Sequence, residues 1–206
     1  MEKAILAILE KEYGEYIYIK DTVPKPYYEN IEAVKAIILG CDPSTGNEKI
    51  EFDYVFNIDK FKSGKGNKNY FKPIYTNLNA IGLSLSDIYV QNLCKNYSTN
   101  VTSKNKKWTE MATLWVPAIK EELDSLFPKN IPVLLTAECL LEPLCNEYKN
   151  KKARFYYEKK IIIKESDNKL GRNLIPFFRC CKYRLDKDEW SNYKYFVKHF
   201  ISRNML

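Results

Sequence analysis

The hydrophobic residues of this chain fall into short continuous runs that alternate with amphipathic segments. Two such runs, at residues 33–39 and 131–136, have the continuous apolar core of strands buried on both faces of a sheet. Two further strands are predicted at 87–91 and 174–178. Pro176 restricts the last of these to an edge of the sheet or a gap in its ladder, because proline lacks the N–H that a ladder needs.

Between these runs, apolar residues recur at spacings of three and four, which predicts helices. One helix carries Ile74, Leu78 and Ile81, and a longer one is predicted to be capped by Thr109 and to end at Phe127. The remaining predicted elements are an N-terminal helix in residues 1–10, a helix from about 138 to 148, an edge strand or hairpin arm at 160–164 and a closing helix after residue 186. The alternation of strand and helix implies a mainly parallel sheet with helices on both faces.

Length and composition narrow the class of protein. The 206 residues suit one domain, 1–206, whose first 30 residues form a helix and an extension. An excess of 33 basic over 26 acidic residues gives a net charge of +7, which favours anionic partners such as DNA, although a basic surface that only aids solubility is equally compatible. The single histidine, His199, excludes a metal site built on two or more imidazoles.

The six cysteines do not predict disulfides or a metal site. No CxxC pair occurs, so the usual ligand spacing of a zinc ribbon or of an iron–sulfur cluster is absent from the sequence. The first ten residues contain too short an apolar run, with acids on both sides, for a signal peptide, and no run is long enough to span a membrane. We therefore expect reduced thiols in a cytoplasmic, monomeric protein that uses no metal or cofactor.

Ligands of open parallel sheets bind beyond the carboxyl ends of the strands, so polar residues that follow the predicted strands are candidate site residues. Asp42, Asn92 and Arg179 each follow a different strand. A Gly-rich dinucleotide fingerprint does not follow the first strand, and the segment 63–66 lacks the spacing of a phosphate-binding P-loop. The sequence thus gives little support to hydride transfer or nucleotide hydrolysis.

Several ordered motifs resemble those of the uracil-DNA glycosylase superfamily. They run from about residue 34 to the end of the chain, and their order and spacing are more specific than any one of them. The motifs are GCDPS at 40–44, YFKP at 70–73, DIYVQNL at 87–93, IPVLLTAE at 131–138 and IPFFR at 175–179.

The resemblance implies an α/β fold, specifically a three-layer α/β/α sandwich with a mainly parallel four-stranded sheet. It also implies hydrolysis of the N-glycosidic bond of uracil or another damaged base, flipped out of single- or double-stranded DNA, as in base excision repair. Asp42 would activate the attacking water, and Asn92 would read the pyrimidine edge. Phe56 would stack on the base, with Phe52 and Tyr54 as alternatives. The same motifs place Cys41, Pro43, Ser44 and Cys180 around the substrate.

Two departures from the family pattern bear on activity and substrate. The late motif of the family usually carries a histidine that donates to the departing base, and here the corresponding position is nearest to Cys180, a weak donor. Arg179 could replace that histidine electrostatically, which makes it the second catalytic candidate. Ser44 is small where some relatives have a bulky tyrosine that excludes the methyl group of thymine, so the choice of base stays open.

Each candidate also has a purely structural interpretation. Asp42 before a proline is a natural turn former, Asn92 could cap a strand end, Phe56 could be ordinary core and Arg179 could serve in an ion pair. Five lysines are candidates for phosphate contacts, although lysine-rich loops are often only solvated: Lys65, Lys68, Lys104, Lys106 and Lys107. Two alternatives to an active glycosylase follow, namely a catalytically impaired nucleic-acid-binding protein of the same fold and an interaction protein with another kind of partner.

Overall fold

The helices and strands follow the alternation in the sequence. The computed structural model describes residues 1–20, 22–43, 50–64, 70–147 and 151–203. The strands are β1 (Ile17–Tyr18), β2 (Ala36–Gly40), β3 (Ile88–Asn92), β4 (Tyr97–Ser98), β5 (Val133–Leu135) and β6 (Leu174–Pro176). The helices are α1 (Glu2–Tyr13), α2 (Ile58–Lys62), α3 (Lys72–Ile81), α4 (Trp108–Leu126), α5 (Leu141–Leu144), α6 (Ala153–Glu158) and α7 (Ser191–Arg203).

Four strands form a parallel sheet in the order β3-β2-β5-β6, which confirms the predicted α/β class. Every residue of β2, β3, β5 and β6 is buried, so both faces of the sheet are covered. Helix α3 packs beside α7, while α4 packs beside α1 and α5. These two groups of helices are compatible with a three-layer α/β/α arrangement.

The edge of the sheet explains where proline is tolerated. Strand β6 has β5 on one side, and Pro176 is its last residue, as the sequence predicts for an edge strand. On the opposite side of β6, the strand expected at 160–164 is present only as a single antiparallel bridge. Ile163 and Leu174 there exchange backbone hydrogen bonds of 3.0 and 2.9 Å.

Two predicted helix boundaries are wrong. Helix α4 begins at Trp108, its cap position is Lys107 with no side-chain cap, and the hydroxyl of Thr109 instead donates to Glu142 over 3.2 Å. The expected helix at 138–148 is a 3-10 turn followed by the short α5, which ends at Leu144 because the next residue, Cys145, takes an extended conformation and bridges to Asn168. Tertiary contacts therefore override the helical periodicity at both places.

A second, two-stranded sheet was not predicted. Strands β1 and β4 pair antiparallel over two residues each, with Ile17 opposite Ser98. This sheet joins the N-terminal segment to the chain that follows β3. Within the described residues, the helices include none that is long and apolar enough to cross a membrane.

Arg172 is a buried cation that ties β6 to the end of α4. Its side chain has no exposed surface, and its guanidinium donates to the backbone oxygens of Leu123, Phe127 and Pro128 at 2.6–2.8 Å and to Asp124 at 3.0 Å. Leu123 O also accepts the N–H of Phe127, and Pro128 O accepts that of Ile131, so the guanidinium adds a second bond to these carbonyl groups and complements the partial negative charge at the end of the helix. Burial lowers the pKa of Arg172, and Asp124 counteracts this.

We expect Arg172→Met to lower the free energy of unfolding by roughly 3–5 kcal/mol, because a buried ionic partner is removed and the four hydrogen bonds of its guanidinium are lost. Urea denaturation measures the change. The matched control is Arg184→Met, which removes an ion pair of 2.5 Å with Asp186 at the surface and should cost at most about 1 kcal/mol. Equal losses in the two variants would contradict the structural role of Arg172.

Candidate functional site

The candidate site lies at the carboxyl end of β2, the strand that pairs with both β3 and β5. The ladder continues past the strand ends, because the N–H groups of Leu93 and Cys94 donate over 2.8 Å to the oxygens of Gly40 and Cys41. On the other side of β2, the N–H and hydroxyl of Thr136 donate to Leu39 O over 3.1 and 2.9 Å. These bonds fix the backbone at the end of β2 and therefore the position of Asp42, which follows it.

Asp42 is a buried carboxylate with one engaged oxygen. Its side chain is 5% exposed, and Oδ1 accepts a hydrogen bond of 2.5 Å from the hydroxyl of Thr102. Oδ2 is buried and has no hydrogen-bond partner among the described residues. Burial raises the pKa of Asp42, while Ser98, Thr102, Trp108 and the positive charge of Arg179 pull it back down.

Two more buried donors point toward this carboxylate. Ser98 Oγ and Trp108 Nε1 are close enough to Asp42 to lower its pKa, yet within the described part of the chain neither has an acceptor at ideal hydrogen-bond geometry. Buried polar groups are nearly always hydrogen-bonded, and an ordered water molecule commonly serves those that have no ideal partner in the protein. The polar surroundings of Asp42 therefore offset part of the cost of burying its charge, and Oδ2 retains the capacity to accept a hydrogen bond.

Asn92 and Phe56 meet over Gly40. A Cβ placed on Gly40 would overlap the Phe56 ring and the side-chain oxygen of Asn92, so both side chains lie directly against this glycine. Asn92 is the last residue of β3 and is 4% exposed. Because glycine has no side chain, two predicted site residues can both lie against the backbone at Gly40. These are Asn92, predicted to read the base, and Phe56, predicted to stack on it.

Phe56 is held in an uncommon backbone conformation. Its φ is 58° and that of Asn57 is 54°, both in the left-handed region that non-glycine residues rarely adopt. The ring packs against Tyr70 and Phe71 at centroid distances of 5.6 and 5.9 Å. Such backbone strain persists only where the surroundings fix it, and it is concentrated at functional sites.

Of the three aromatic candidates, only Phe56 contacts the other site residues in the described part of the chain. Phe52 packs against Tyr97, and Tyr54 packs edge-on against Tyr27. Phe56 is 8% exposed, so the ring is largely covered by its neighbours.

Arg179 closes the site from the end of β6. Its backbone N–H donates to Thr136 O over 3.0 Å, and its guanidinium lies 4.3 Å from the centre of the Tyr70 ring. Burial raises the pKa of Asp42 and of Tyr70, the contact with Cys139 and burial raise that of Cys41, and the positive charge of Arg179 offsets part of each rise. Among the described residues, Arg179 forms no ion pair with a carboxylate.

The remaining candidates are distributed differently. Cys41 is buried beside Asp42, with its Sγ 3.3 Å from Cys139 Sγ, and Pro43 is buried next in the chain. Cys180 is exposed. Ser44, Lys65 and Lys68 lie outside the described residues.

Three predicted lysines lie on the segment that supports Asp42. Lys104 and Lys106 are exposed between Thr102 and Trp108, and Lys107 is paired with Glu110 at 2.8 Å. The described part of the chain contains no group of three or more His, Cys, Asp or Glu side chains that could hold a metal ion.

No protein-family model matches this sequence, and a search of curated proteins returns no significant relative. The chemistry of the site therefore follows from its own side chains. A buried carboxylate, an amide, an aromatic ring and a guanidinium converge at the end of one parallel sheet.

Five residues of this site were not predicted from the sequence: Ser98, Thr102, Trp108, Tyr70 and Cys139. Ser98 and Thr102 lie 56 and 60 positions from Asp42, and no motif joins them to it. The pairing of β4 with β1 and the start of α4 bring them near, which is a tertiary effect without a local sequence signal.

We expect Gly40→Ala to destabilise the protein by roughly 1–3 kcal/mol, because the added methyl group must displace Phe56 and Asn92. Urea denaturation measures the loss. Gly14→Ala is the matched control, since a Cβ at Gly14 meets no atom within 4 Å. A Gly40→Ala protein as stable as the control would mean that Phe56 and Asn92 do not pack on Gly40.

We expect Thr102→Val to raise the pKa of Asp42 further, because the ionised carboxylate loses a hydrogen bond of the kind worth roughly 1.5–3 kcal/mol. The side-chain carboxyl carbon of Asp42, followed by NMR across a pH titration, reports the change. Thr113→Val, which removes an exposed hydroxyl of α4, should leave this titration in place. An unchanged titration in Thr102→Val would rule out Thr102 as the partner that holds Asp42.

Proposed function

We propose that this protein is a DNA glycosylase-like hydrolase that cleaves the N-glycosidic bond of uracil or another altered base. The observation that carries the proposal is the convergence of Asp42, Asn92, Phe56 and Arg179 at one end of the sheet. The parallel four-stranded sheet, with helices in two groups, also supports a three-layer sandwich of the uracil-DNA glycosylase type.

Asp42 is the proposed activator of water. Thr102 holds Oδ1, so Oδ2 can accept a proton from a water molecule aimed at the sugar carbon. The transition state carries positive charge on the sugar, and a buried carboxylate stabilises that charge more strongly than an exposed one would. Because burial raises the pKa of Asp42, the ionised form needed for this role is lost at a higher pH than for an ordinary aspartate.

Asn92 and Phe56 form the proposed base-binding pair. The Asn92 amide can donate and accept at once, which matches the edge of a pyrimidine such as uracil. Phe56 lies against the same glycine, so a base that reaches the amide meets the ring as well. Tyr70 and Phe71 pack against this ring, and such contacts are what hold the strained backbone at Phe56 in place.

Arg179 is the proposed source of positive charge for the departing base. Bond cleavage leaves negative charge on the base, and a guanidinium in a site that excludes water stabilises it. The guanidinium of Arg179 packs against the ring of Tyr70, which holds it in place. Arg179 would thus supply the positive charge that a histidine at the position of Cys180 supplies in the family pattern.

DNA contact is proposed for Lys104 and Lys106, which are exposed on the segment between Thr102 and Trp108. Contacts of lysine to phosphate position a nucleic acid without reading its sequence, and they weaken as salt increases. Lys107 can join them, because its exposed pair with Glu110 costs little to open.

A second candidate function is nucleic-acid binding without catalysis. It is favoured by the exposed thiol of Cys180, a poor donor at the position where the family pattern has a histidine. Both candidate functions use the same lysines for contact with the nucleic acid. They differ in whether the function requires Asp42.

We expect Asp42→Asn to lower the rate of base release by at least about 100-fold, the usual contribution of a positioned acid or base. The assay uses single- and double-stranded oligonucleotides that contain uracil or other altered bases, with alkali to cleave the abasic product. Asp188→Asn, an exposed carboxylate in the turn before α7, is the matched control and should keep full activity.

The same oligonucleotides separate the candidate functions. Salt-sensitive binding without base release, unchanged in Asp42→Asn, would replace the hydrolase by the binding protein. The absence of both release and binding at low salt would reject both functions.

A further inference from the structure

Two thiols meet beside the candidate site. Cys41 follows β2, and Cys139 lies in the 3-10 turn Glu138–Leu140 after β5. They are 98 positions apart in the chain, yet their sulfur atoms are 3.3 Å apart, in hydrogen-bond contact. The parallel pairing of β2 with β5 explains the meeting, because it brings the carboxyl ends of the two strands to one edge.

We propose that Cys41 and Cys139 form a redox-sensitive dithiol that a hydroperoxide oxidises to an intramolecular disulfide. The inference does not rest on the glycosylase function, since it concerns only the two thiols and their surroundings. A sulfur contact already present in the reduced protein means that only a small local movement is needed to reach bonding distance.

Exposure decides which thiol reacts first. Cys139 is half-buried, whereas Cys41 is 6% exposed. Its contact with Cys139 and its burial also raise the pKa of Cys41, so that its thiolate is scarce. Peroxide therefore oxidises Cys139 first.

The reaction balances in two steps. The sulfur of Cys139 attacks one oxygen of the peroxide, the O–O bond breaks, and a sulfenic acid and one water molecule result. The sulfur of Cys41 then attacks that of Cys139, forming the S–S bond, and the departing hydroxyl leaves as a second water molecule with the proton from Cys41. The two thiols lose two electrons and two protons, and hydrogen peroxide is reduced to water.

The crosslink would join the loops that follow two central strands. Cys41 directly precedes Asp42, and Arg179 N–H is bonded to Thr136 O, three residues before Cys139. Oxidation would therefore act on the chain segments that carry the carboxylate and the guanidinium. The oxidation state of the two thiols would therefore affect the positions of Asp42 and Arg179.

The experiment uses the full chain with Cys180→Ser and Cys181→Ser, which removes the two exposed thiols that could react between molecules. The protein is treated with hydrogen peroxide, denatured, alkylated with iodoacetamide and digested with trypsin and chymotrypsin, which separate Cys139 from Cys145. Mass spectrometry is expected to find a peptide pair joining Cys41 to Cys139, lighter by two hydrogen atoms and released by dithiothreitol. Cys94 and Cys145, both buried, should be recovered alkylated.

Two variants test the assignment. Cys94→Ser, a buried thiol near the pair, should retain the crosslink, and Cys139→Ser should lose it while Cys41 is recovered alkylated. Circular dichroism checks that both variants fold, and the mapping in the parent protein stands without them. The proposal is overturned if Cys139 proceeds to sulfinic or sulfonic acid with Cys41 free, if Cys139 joins Cys94, or if all four thiols survive peroxide unchanged.

Discussion

Strand β2 is the constraint on which the rest of the molecule depends. It pairs with β3 over five residues and with β5 over three, and each of its residues is buried. A strand hydrogen-bonded on both sides and covered on both faces cannot shift by one residue without exposing its apolar side chains or breaking its ladder. Its last residue, Gly40, and the residues that follow are therefore placed with little freedom.

That placement brings together side chains with very different positions in the sequence. Gly40 lets Phe56 and Asn92 approach the backbone, and the extended ladder holds the chain just before Asp42. The opposite neighbour, β5, brings Cys139 against Cys41, and the end of β6 brings Arg179. One strand end thus organises an electrostatic site and a pair of thiols at the same time.

The surroundings of Asp42 combine burial with incomplete hydrogen bonding. Removing a carboxylate from water is costly, and the protein offsets the cost with Thr102, with nearby donors from Ser98 and Trp108 and with the charge of Arg179. A residue kept only as a turn former would not need this arrangement, because an exposed aspartate serves a turn equally well. Buried donors and a free carboxylate oxygen are typical of sites that bind a small polar partner.

The sequence by itself determined the four strands of the parallel sheet, their parallel pairing class and the residues that follow each of them, because continuous apolar runs and helical spacing depend only on local order. It therefore predicted Asp42, Asn92 and Arg179 at one edge. It did not determine the lengths of α4 and α5, the support of Asp42 by Thr102, the contact of Cys41 with Cys139, or which aromatic ring lies on Gly40. Those depend on contacts between residues far apart in the chain, whose distances are set by the packing of the whole fold and leave no periodic signal in the sequence.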